Sequence, residues 1–422
     1  MRLREAHGHL GMLGESLRQP NLSACGSVGE CLDVIGRAVA GVERGGWLLV
    51  RGARVEGWAE RRWPTLGELD GVSGAVPVVV MSFDHHMAMG NSAALAGAGL
   101  RTGVPVPPNG VVCVDGRGRA TGVLMEQAAV AAWNAAPQPS MLERVEQVRA
   151  GAEHLHAMGF VEVHDLHTPE WMPVALAQLD RAGELPVSVR LYPPFSRIEA
   201  EAARAGGYES RQVRLAGGKL FADGTLNSQT ALMLEPYAGA GGGGGGSGEG
   251  GCGVAMHTVA EIESAIARCD AVGKHLAVHA IGDGAVRMVL DCFEHVRPRA
   301  SGGRIEHCEL VDEADVPRFK RLGVACSVQP CHLLADIEVL QRTLAHVERK
   351  VLPLRDLLAT GLEPGSVERG IVFGSDVPIV RAEPEDSIQA AVERGRVGSG
   401  VAINPGQAIS PEQAWDCFVC KD

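Results

Sequence analysis

The sequence has no uninterrupted apolar run of the about 18 residues that a membrane-spanning helix needs. We therefore expect no membrane span. It also lacks an excess of positive charge, because 39 Lys and Arg stand against 51 Asp and Glu, for a net charge of −12. Proteins that bind nucleic acids or anionic membranes need a basic face. The charge balance therefore argues against both kinds of partner.

The cysteines lack the regular spacing of a disulfide framework. Eleven Cys, an odd number, are scattered through the 422 residues. This pattern is typical of reduced, buried thiols, and we expect a cytoplasmic protein. Cys417 and Cys420 form a lone CxxC without a second pair, which we interpret as structural.

Aromatic residues are scarce, at 4% of the chain, whereas hydrophobic residues make up 45% and charged residues 21%. These proportions are ordinary for a globular protein with a sizeable core. Glycine is in excess, with 55 residues. Part of the excess lies in residues 238–253 (AGAGGGGGGSGEGGCG), which we expect to form a flexible surface loop, since such a segment cannot pack a core.

Short β-branched runs that end in polar residues alternate with segments of helical periodicity. The runs span residues 160–165, 187–192, 214–223, 275–283, 304–308, 323–330 and 371–376. Residues 1–9 supply an eighth strand. Strands that alternate with helices indicate an α/β protein with a parallel sheet. Eight such units predict a TIM-type (β/α)8 barrel, whose active site lies at the carboxyl ends of its strands.

The predicted barrel is interrupted once. We assign residues 1–9 and 160–422 to the barrel and residues 10–159 to a long insertion after strand one. The insertion is rich in Gly, Trp and turn signals and contains a strand of its own at residues 76–82. We expect it to cap the barrel.

Polar side chains recur where the predicted strands end. His7 and His9 form an HxH pair, and residues i and i+2 of a strand point to the same side. Strands four, five, six and eight contribute Lys219, His279, His307 and Asp376. A lone strand-end His is more often a hydrogen-bonded core residue, and a strand-end Asp is often a helix N-cap. The ordered placement of all six residues along one barrel favours a metal site.

These residues lie within longer motifs, which read PVVVMSFDHH, TGVLMEQA, FADGTLNSQTALMLEPY, VHAIGDGAV, RIEHCELVDEADV, QPCH and GSDVPI. In combination, the motifs make nearly the whole chain similar to the amidohydrolase superfamily, in the branch of the N-substituted formamide deformylases. The metal ligands that this resemblance implies are His7, His9, His279, His307 and Asp376. It also implies that Lys219 is carboxylated by carbon dioxide and bridges two metal ions.

Neutral imidazoles and carboxylates suit divalent ions, and we expect Zn²⁺, with two ions if Lys219 is carboxylated. A metal ion lowers the pKa of a bound water to about 7. Asp376 can take the proton of that water and pass it to the leaving nitrogen. We therefore predict a metal-dependent hydrolase that cleaves amide-like C–N bonds of a small molecule, either an N-substituted formamide or amide or a cyclic amide. Whether the chain forms a homo-oligomer is left open.

Three further residues are candidates for contact with the substrate. His86 lies where the family has a DGH motif, although His85 replaces the glycine. Asp223 follows Lys219 in a DG turn, and His332 ends the QPCH motif. An ordinary polar residue explains His86 about as well, and a plain turn also explains Asp223.

The chain departs from the family's pattern in two respects. Relatives begin with a small β-sandwich and return to it after the barrel, and we expect this sandwich to be missing here. Gln229 stands where the family carries an arginine, which leaves recognition of a substrate carboxylate open. Two alternatives follow: a mononuclear deaminase of the same superfamily, which would not need Lys219, and a truncated barrel without catalysis.

Overall fold

The computed structural model describes residues 1–83, 87–100, 106–107, 110–238, 251–299 and 302–421. The backbone forms two compact units. The larger comprises Met1–Gly14 and Arg144–Asp422, and the smaller comprises Glu15–Glu143. Most of the glycine-rich run at 238–253 lies outside the described residues.

The strands of the described residues, in chain order, are β1 (Leu3–Gly8), β2 (Leu48–Ala53), β3 (Val78–Ser82), β4 (Met87–Gly90), β5 (Gly110–Val114), β6 (Ala120–Glu126), β7 (Phe160–Leu166), β8 (Ser188–Tyr192), β9 (Val213–Leu215), β10 (Gly217–Phe221), β11 (His275–Ala280), β12 (Arg304–His307), β13 (Ala325–Val328), β14 (Glu363–Pro364) and β15 (Gly370–Phe373).

The α-helices of the described residues are α1 (Leu10–Arg18), α2 (Val28–Val39), α3 (Leu66–Ser73), α4 (Ser92–Gly97), α5 (Gln127–Asn134), α6 (Met141–Ala157), α7 (Met172–Ala182), α8 (Ile198–Arg204), α9 (Val259–Ala271), α10 (Asp283–Val296), α11 (Val316–Leu322), α12 (His332–Thr343), α13 (Leu354–Ala359), α14 (Pro384–Glu393) and α15 (Pro411–Phe418). Within this part of the chain, none of the helices is long and apolar enough to cross a membrane.

The parallel strands of the larger unit follow one another in a ring. One sheet has the order β1-β7-β8-β9, and a second has the order β10-β11-β12-β13-β15-β14. Parallel bridges join the two sheets at both ends, one from Pro194 to Lys219 and one from Gly8 to Val377. The ring order is that of a parallel α/β barrel. The prediction of an α/β protein with parallel strands is confirmed.

All eight predicted barrel strands are present, with one difference. The run at 214–223 forms two short strands, β9 and β10, with Ala216 between them. The second of these pairs with β11 over its whole length, from Gly217 opposite His275 to Phe221 opposite His279. Lys219 is therefore the central residue of a regular strand.

Side chains alternate along the barrel strands between an apolar and a polar face. In β11, Leu276 and Val278 belong to the main hydrophobic core. His275 instead lies against Tyr192, with its Nε2 3.0 Å from the Tyr192 hydroxyl, and the ring of His279 lies against that of His307. Because successive strand residues point to opposite faces, each strand sends its polar residues to one side, where those of several strands meet.

Paired charges also lie among the polar side chains of these strands. Arg4 Nε donates to Glu162 Oε1 at 2.7 Å. Arg304 pairs with Glu306 and donates from Nη1 to His164 Nδ1 at 2.7 Å. Buried charges are costly unless they are paired and hydrogen-bonded. These pairs therefore hold the side chains beneath the strand ends in fixed positions.

The smaller unit contains a five-stranded mixed sheet of order β2-β3-β4-β6-β5. Its second strand, β3, is the strand predicted at 76–82, and it is buried on both faces. Val78 and Val80 belong to one hydrophobic cluster, whereas Val79 and Met81 belong to another. This two-residue alternation is what a strand packed on both sides requires.

Gly374 follows β15 at a point where β1 passes too close for a side chain. A Cβ at this position would lie 2.5 Å from His7 N and 2.6 Å from Glu5 Oε1. We expect Gly374→Ala to lower the free energy of unfolding by about 1–3 kcal/mol, as overpacking does. Urea unfolding of the metal-free protein measures the effect.

Gly206→Ala is the control, since a Cβ there would meet nothing within 4 Å. A surface change of this kind alters stability by about 0.5 kcal/mol or less. If the two variants unfold at the same urea concentration, β1 does not pass this close to Gly374.

Candidate metal centre

Three of the predicted ligands meet where β1 and β15 end. Asp376 Oδ1 lies 2.8 Å from His9 Nε2 and 3.5 Å from His7 Nε2. His7, His307 and Asp376 each offer a donor atom within 4.8 Å of the others. Three donors this close are compact enough to hold a single cation.

The remaining predicted histidines complete the cluster. The ring centroid of His307 lies 4.7 Å from that of His7 and 4.4 Å from that of His279. His279 Nε2 lies 3.0 Å from the carbonyl oxygen of Gly224. His307 Nδ1 is buried, and it has no hydrogen-bond partner among the described residues. The structure thus brings His7, His9, His279, His307 and Asp376 together.

Two of these residues have a strained backbone. The φ angle is +73° at His307 and +64° at Asp376. This left-handed region is unfavourable for residues other than glycine, and such strain clusters at functional sites. His307 ends β12, and Asp376 lies in the turn three residues after the end of β15.

Lys219 is the sixth predicted residue, and its amine is isolated. The side chain is buried, and Nζ has no hydrogen-bond partner among the described residues. Its nearest aromatic neighbour is Phe221, whose ring centroid lies 5.0 Å away. Burial lowers the pKa of Lys219 to about 8, against the opposing charges of Glu306 and Asp376. A neutral amine is therefore accessible near neutral pH.

The protonation states suit a cation. Burial lowers the pKa of His7 to about 4 and that of His279 to about 3, and it also places the pKa of His307 well below its usual range. Burial raises the pKa of Asp376, but the neighbouring His7 and His9 outweigh it and keep the carboxyl ionised. Burial also lowers the pKa of His9, but its hydrogen bond to Asp376 and the nearby negative charges outweigh burial and raise it. The neutral imidazoles of His7, His279 and His307, the carboxylate and the unpartnered His307 nitrogen fit a divalent metal ion.

Glu306 orients His7 from below and was missed by the sequence analysis. Its Oε2 lies 2.7 Å from His7 Nδ1, which leaves Nε2 free to face Asp376. A carboxylate in this position fixes the tautomer of a metal-binding histidine. The available signal was an acidic residue inside the predicted strand RIEH, directly before His307.

His332 begins α12 beside the cluster. Its Nδ1 lies 3.2 Å from Glu309 Oε1, and its Nε2 lies 3.3 Å from the carbonyl oxygen of Ser375 and 4.0 Å from Asp376 Oδ2. Burial lowers the pKa of His332, but Glu309 outweighs this and raises it to about 9. Since both ring nitrogens face acceptors, His332 is placed as a hydrogen-bond donor at the edge of the centre, and its contact with substrate stays a prediction.

Of the two other candidates for substrate contact, Asp223 and His86, the structure describes only Asp223. Asp223 is fully buried, and its carboxylate accepts backbone N–H bonds from Ile281 at 3.0 Å and from Gly282 and Leu232 at 2.9 Å. These bonds tie the turn after β10 to the turn after β11, so the observed contacts of Asp223 are structural. His86 lies outside the described residues.

Comparisons with known proteins agree with this geometry. A family model described as the amidohydrolase family matches residues 3–418. The protein LONG AFTER FAR-RED 3 of Arabidopsis thaliana is 28% identical over 410 residues, which cover 92% of this chain and 67% of that protein. The N-substituted formamide deformylase of Arthrobacter pascens is 24% identical over 433 residues, which cover 97% of this chain and 76% of that protein.

A solved structure supports the same assignment. An uncharacterized metal-dependent hydrolase from Pyrococcus horikoshii OT3 is similar with a TM-score of 0.79 and 25% identity, over 99% of this chain and 79% of that chain. The resemblance seen in the sequence motifs is therefore confirmed. The chain belongs to the amidohydrolase family and is a metal-dependent hydrolase acting on C–N bonds.

Proposed function

We propose that the chain hydrolyses the amide-like C–N bond of a small N-substituted formamide or amide, or of a cyclic amide. The observation that carries this proposal is that donor atoms of His7, His307 and Asp376 lie within 4.8 Å of one another, near the buried Lys219 amine that has no hydrogen-bond partner among the described residues. His7, His9, His279, His307 and Asp376 would hold the cation, and we propose Zn²⁺. When bound, such a cation polarises a substrate carbonyl and acidifies a water molecule.

Lys219 would add an anionic group to the site. Its neutral Nζ attacks the carbon of carbon dioxide, an N–C bond forms, and one proton leaves the nitrogen to solvent. The product would be a carbamate, whose negative charge would help Lys219 to hold a divalent cation together with the histidines and Asp376. This reaction needs an unprotonated amine, and burial of Lys219 favours that form.

Asp376 would move the proton during hydrolysis. Its Oδ1 faces His7 and His9, so Oδ2 is the oxygen that remains for the reacting groups. Because the carboxyl is ionised at neutral pH, Oδ2 can accept a proton from the attacking water and deliver it to the leaving nitrogen. His332 Nε2 lies 4.0 Å from Oδ2, and its proposed role is to donate a hydrogen bond to the substrate in the same region.

Metal analysis together with a substrate panel tests the proposal. The protein is expressed with Zn²⁺, and its metal content is measured by mass spectrometry before and after chelation. N-formyl, N-acyl and cyclic amides are then assayed for release of amine or acid. We expect about two ions per chain and hydrolysis that is lost on chelation and restored by metal.

The stoichiometry also separates the alternatives. One ion per chain with release of ammonia from an aminated heterocycle would identify a mononuclear deaminase. A chain that binds no metal and cleaves no member of the panel after reconstitution would contradict the proposal.

A further inference from the structure

Glu5 is a buried carboxylate that joins the two segments carrying the candidate ligands. It lies inside β1, two residues before His7, and its side chain is fully buried. Oε1 accepts the backbone N–H of His7 at 2.9 Å and that of Ser375 at 3.0 Å. Oε2 accepts the hydroxyl of Ser375 at 2.8 Å. One side chain thus holds the HxH strand and the turn after β15.

That turn carries Asp376 in its strained conformation. The N–H of Asp376 donates to the carbonyl oxygen of His7 at 2.7 Å. On the far side, Ser375 Oγ accepts the N–H of Val377 at 3.2 Å. The bonds made by Glu5 and Ser375 therefore flank Asp376 along the chain. A non-glycine residue with positive φ persists only where its surroundings impose that conformation.

The side chain of Glu5 is closely packed, and its partners differ from those of Glu306. A side chain at position 374 would not fit, because its Cβ would lie 2.6 Å from Glu5 Oε1 and 2.5 Å from His7 N. Glu306, another acidic residue near His7, bonds His7 Nδ1 and not the turn. The two carboxylates therefore act on different atoms: Glu306 on the imidazole of His7, and Glu5 on the backbone that leads to Asp376.

We propose that Glu5, acting with Ser375, is a positioning residue for Asp376. It fixes the direction of the Asp376 carboxyl group, so that Oδ1 stays between His7 and His9 while Oδ2 stays available for proton transfer. The inference rests on the proposed role of Asp376 in hydrolysis. Misdirection of Oδ2 slows the proton transfer more than it weakens substrate binding, so the effect falls on kcat rather than on KM.

Three variants grade the loss of these bonds. Glu5→Leu removes all three bonds of Glu5, whereas Ser375→Ala removes the bond from the hydroxyl to Glu5 Oε2 and the bond that Ser375 Oγ accepts from Val377 N–H. Glu5→Gln is the conservative variant, since its Oε1 can still accept both N–H groups and its amide can donate to Ser375 Oγ. We expect kcat to fall by about 10–100-fold in Glu5→Leu and by less in Ser375→Ala, with KM within about twofold. Glu5→Gln should restore most of the activity.

A second readout does not depend on turnover. Hydrogen–deuterium exchange of the metal-free variants should quicken in the peptide covering residues 373–379 and stay unchanged in α9. Glu201→Leu is the matched control, because it removes a buried carboxylate of the same unit that pairs with Arg204 at 2.6 Å. It should leave kcat and exchange at 373–379 unaltered.

The outcomes separate this inference from the proposed function. If wild-type protein binds no metal and hydrolyses nothing, the function fails regardless of Glu5. If wild type is active and Asp376→Asn is slow, but kcat and exchange are normal in both Glu5→Leu and Ser375→Ala, the positioning role is refuted. Should Glu5→Leu fail to fold, Ser375→Ala decides: reduced kcat with faster local exchange supports the role, and wild-type values overturn it.

Discussion

Lys219→Ala is expected to abolish hydrolysis and to lower the metal content from about two ions per chain to one or none. The reason is that alanine can neither form the carbamate nor supply an anion between two cations. The isolated Nζ makes no hydrogen bond to any described residue, so its removal breaks no pair and the barrel should stay folded. Metal analysis, circular dichroism and turnover are measured on the same preparation.

Chemical rescue makes this test specific. Acetate or propionate can enter the space that the shortened side chain leaves and return a carboxylate to the centre, so part of the turnover should reappear with added acid. Lys320→Ala, on the exposed face of α11, is the control and should show neither loss nor rescue. Full activity with two ions in Lys219→Ala would remove the carbamate from the mechanism.

Asp376→Asn should separate metal binding from proton transfer. The amide keeps the shape and one oxygen towards His7 and His9, so most of the metal should remain. It can no longer accept a proton, and kcat should fall by about 10²–10⁴-fold. Steady-state kinetics on metal-matched preparations measure the difference.

Asp291→Asn provides the comparison, since this carboxylate of α10 pairs with Arg318 on the outside of the barrel. It should leave kcat unchanged. A well-folded, metal-loaded Asp376→Asn protein with near-normal kcat would show that another group carries the proton.

Much of the barrel could be predicted because each strand carries its own local signal. β11 and β15 are short apolar runs with a polar end, and the helices between strands show regular periodicity. The split of the run at 214–223 could not be predicted, because Ala216 is no less compatible with a strand than its neighbours. Its N–H donates to Leu191 O, and only this tertiary contact distinguishes it.

The candidate ligands could be named from sequence, but the residues that hold them could not. His7 and Glu306 are 299 positions apart, and Glu5 and Ser375 are 370 apart. Hydrogen bonds across such separations depend on how the barrel closes, and nothing local in the chain reports them. The contacts of Asp223 could not be predicted either, since its oxygens accept N–H groups from Ile281 and Gly282 in a separate turn. Its contact with substrate stays a prediction.

The paired charges beneath the centre limit how this chain can change over generations. Arg304 and Glu306 are both completely buried. Replacing only one of them leaves the other charge buried without its partner and lowers the free energy of unfolding by about 3–5 kcal/mol. The whole free energy of unfolding of a protein is typically about 5–15 kcal/mol. Evolution at these two positions therefore requires that Arg304 and Glu306 are replaced together. Libraries that vary one position at a time would find this region intolerant, whereas libraries that vary both could find it permissive.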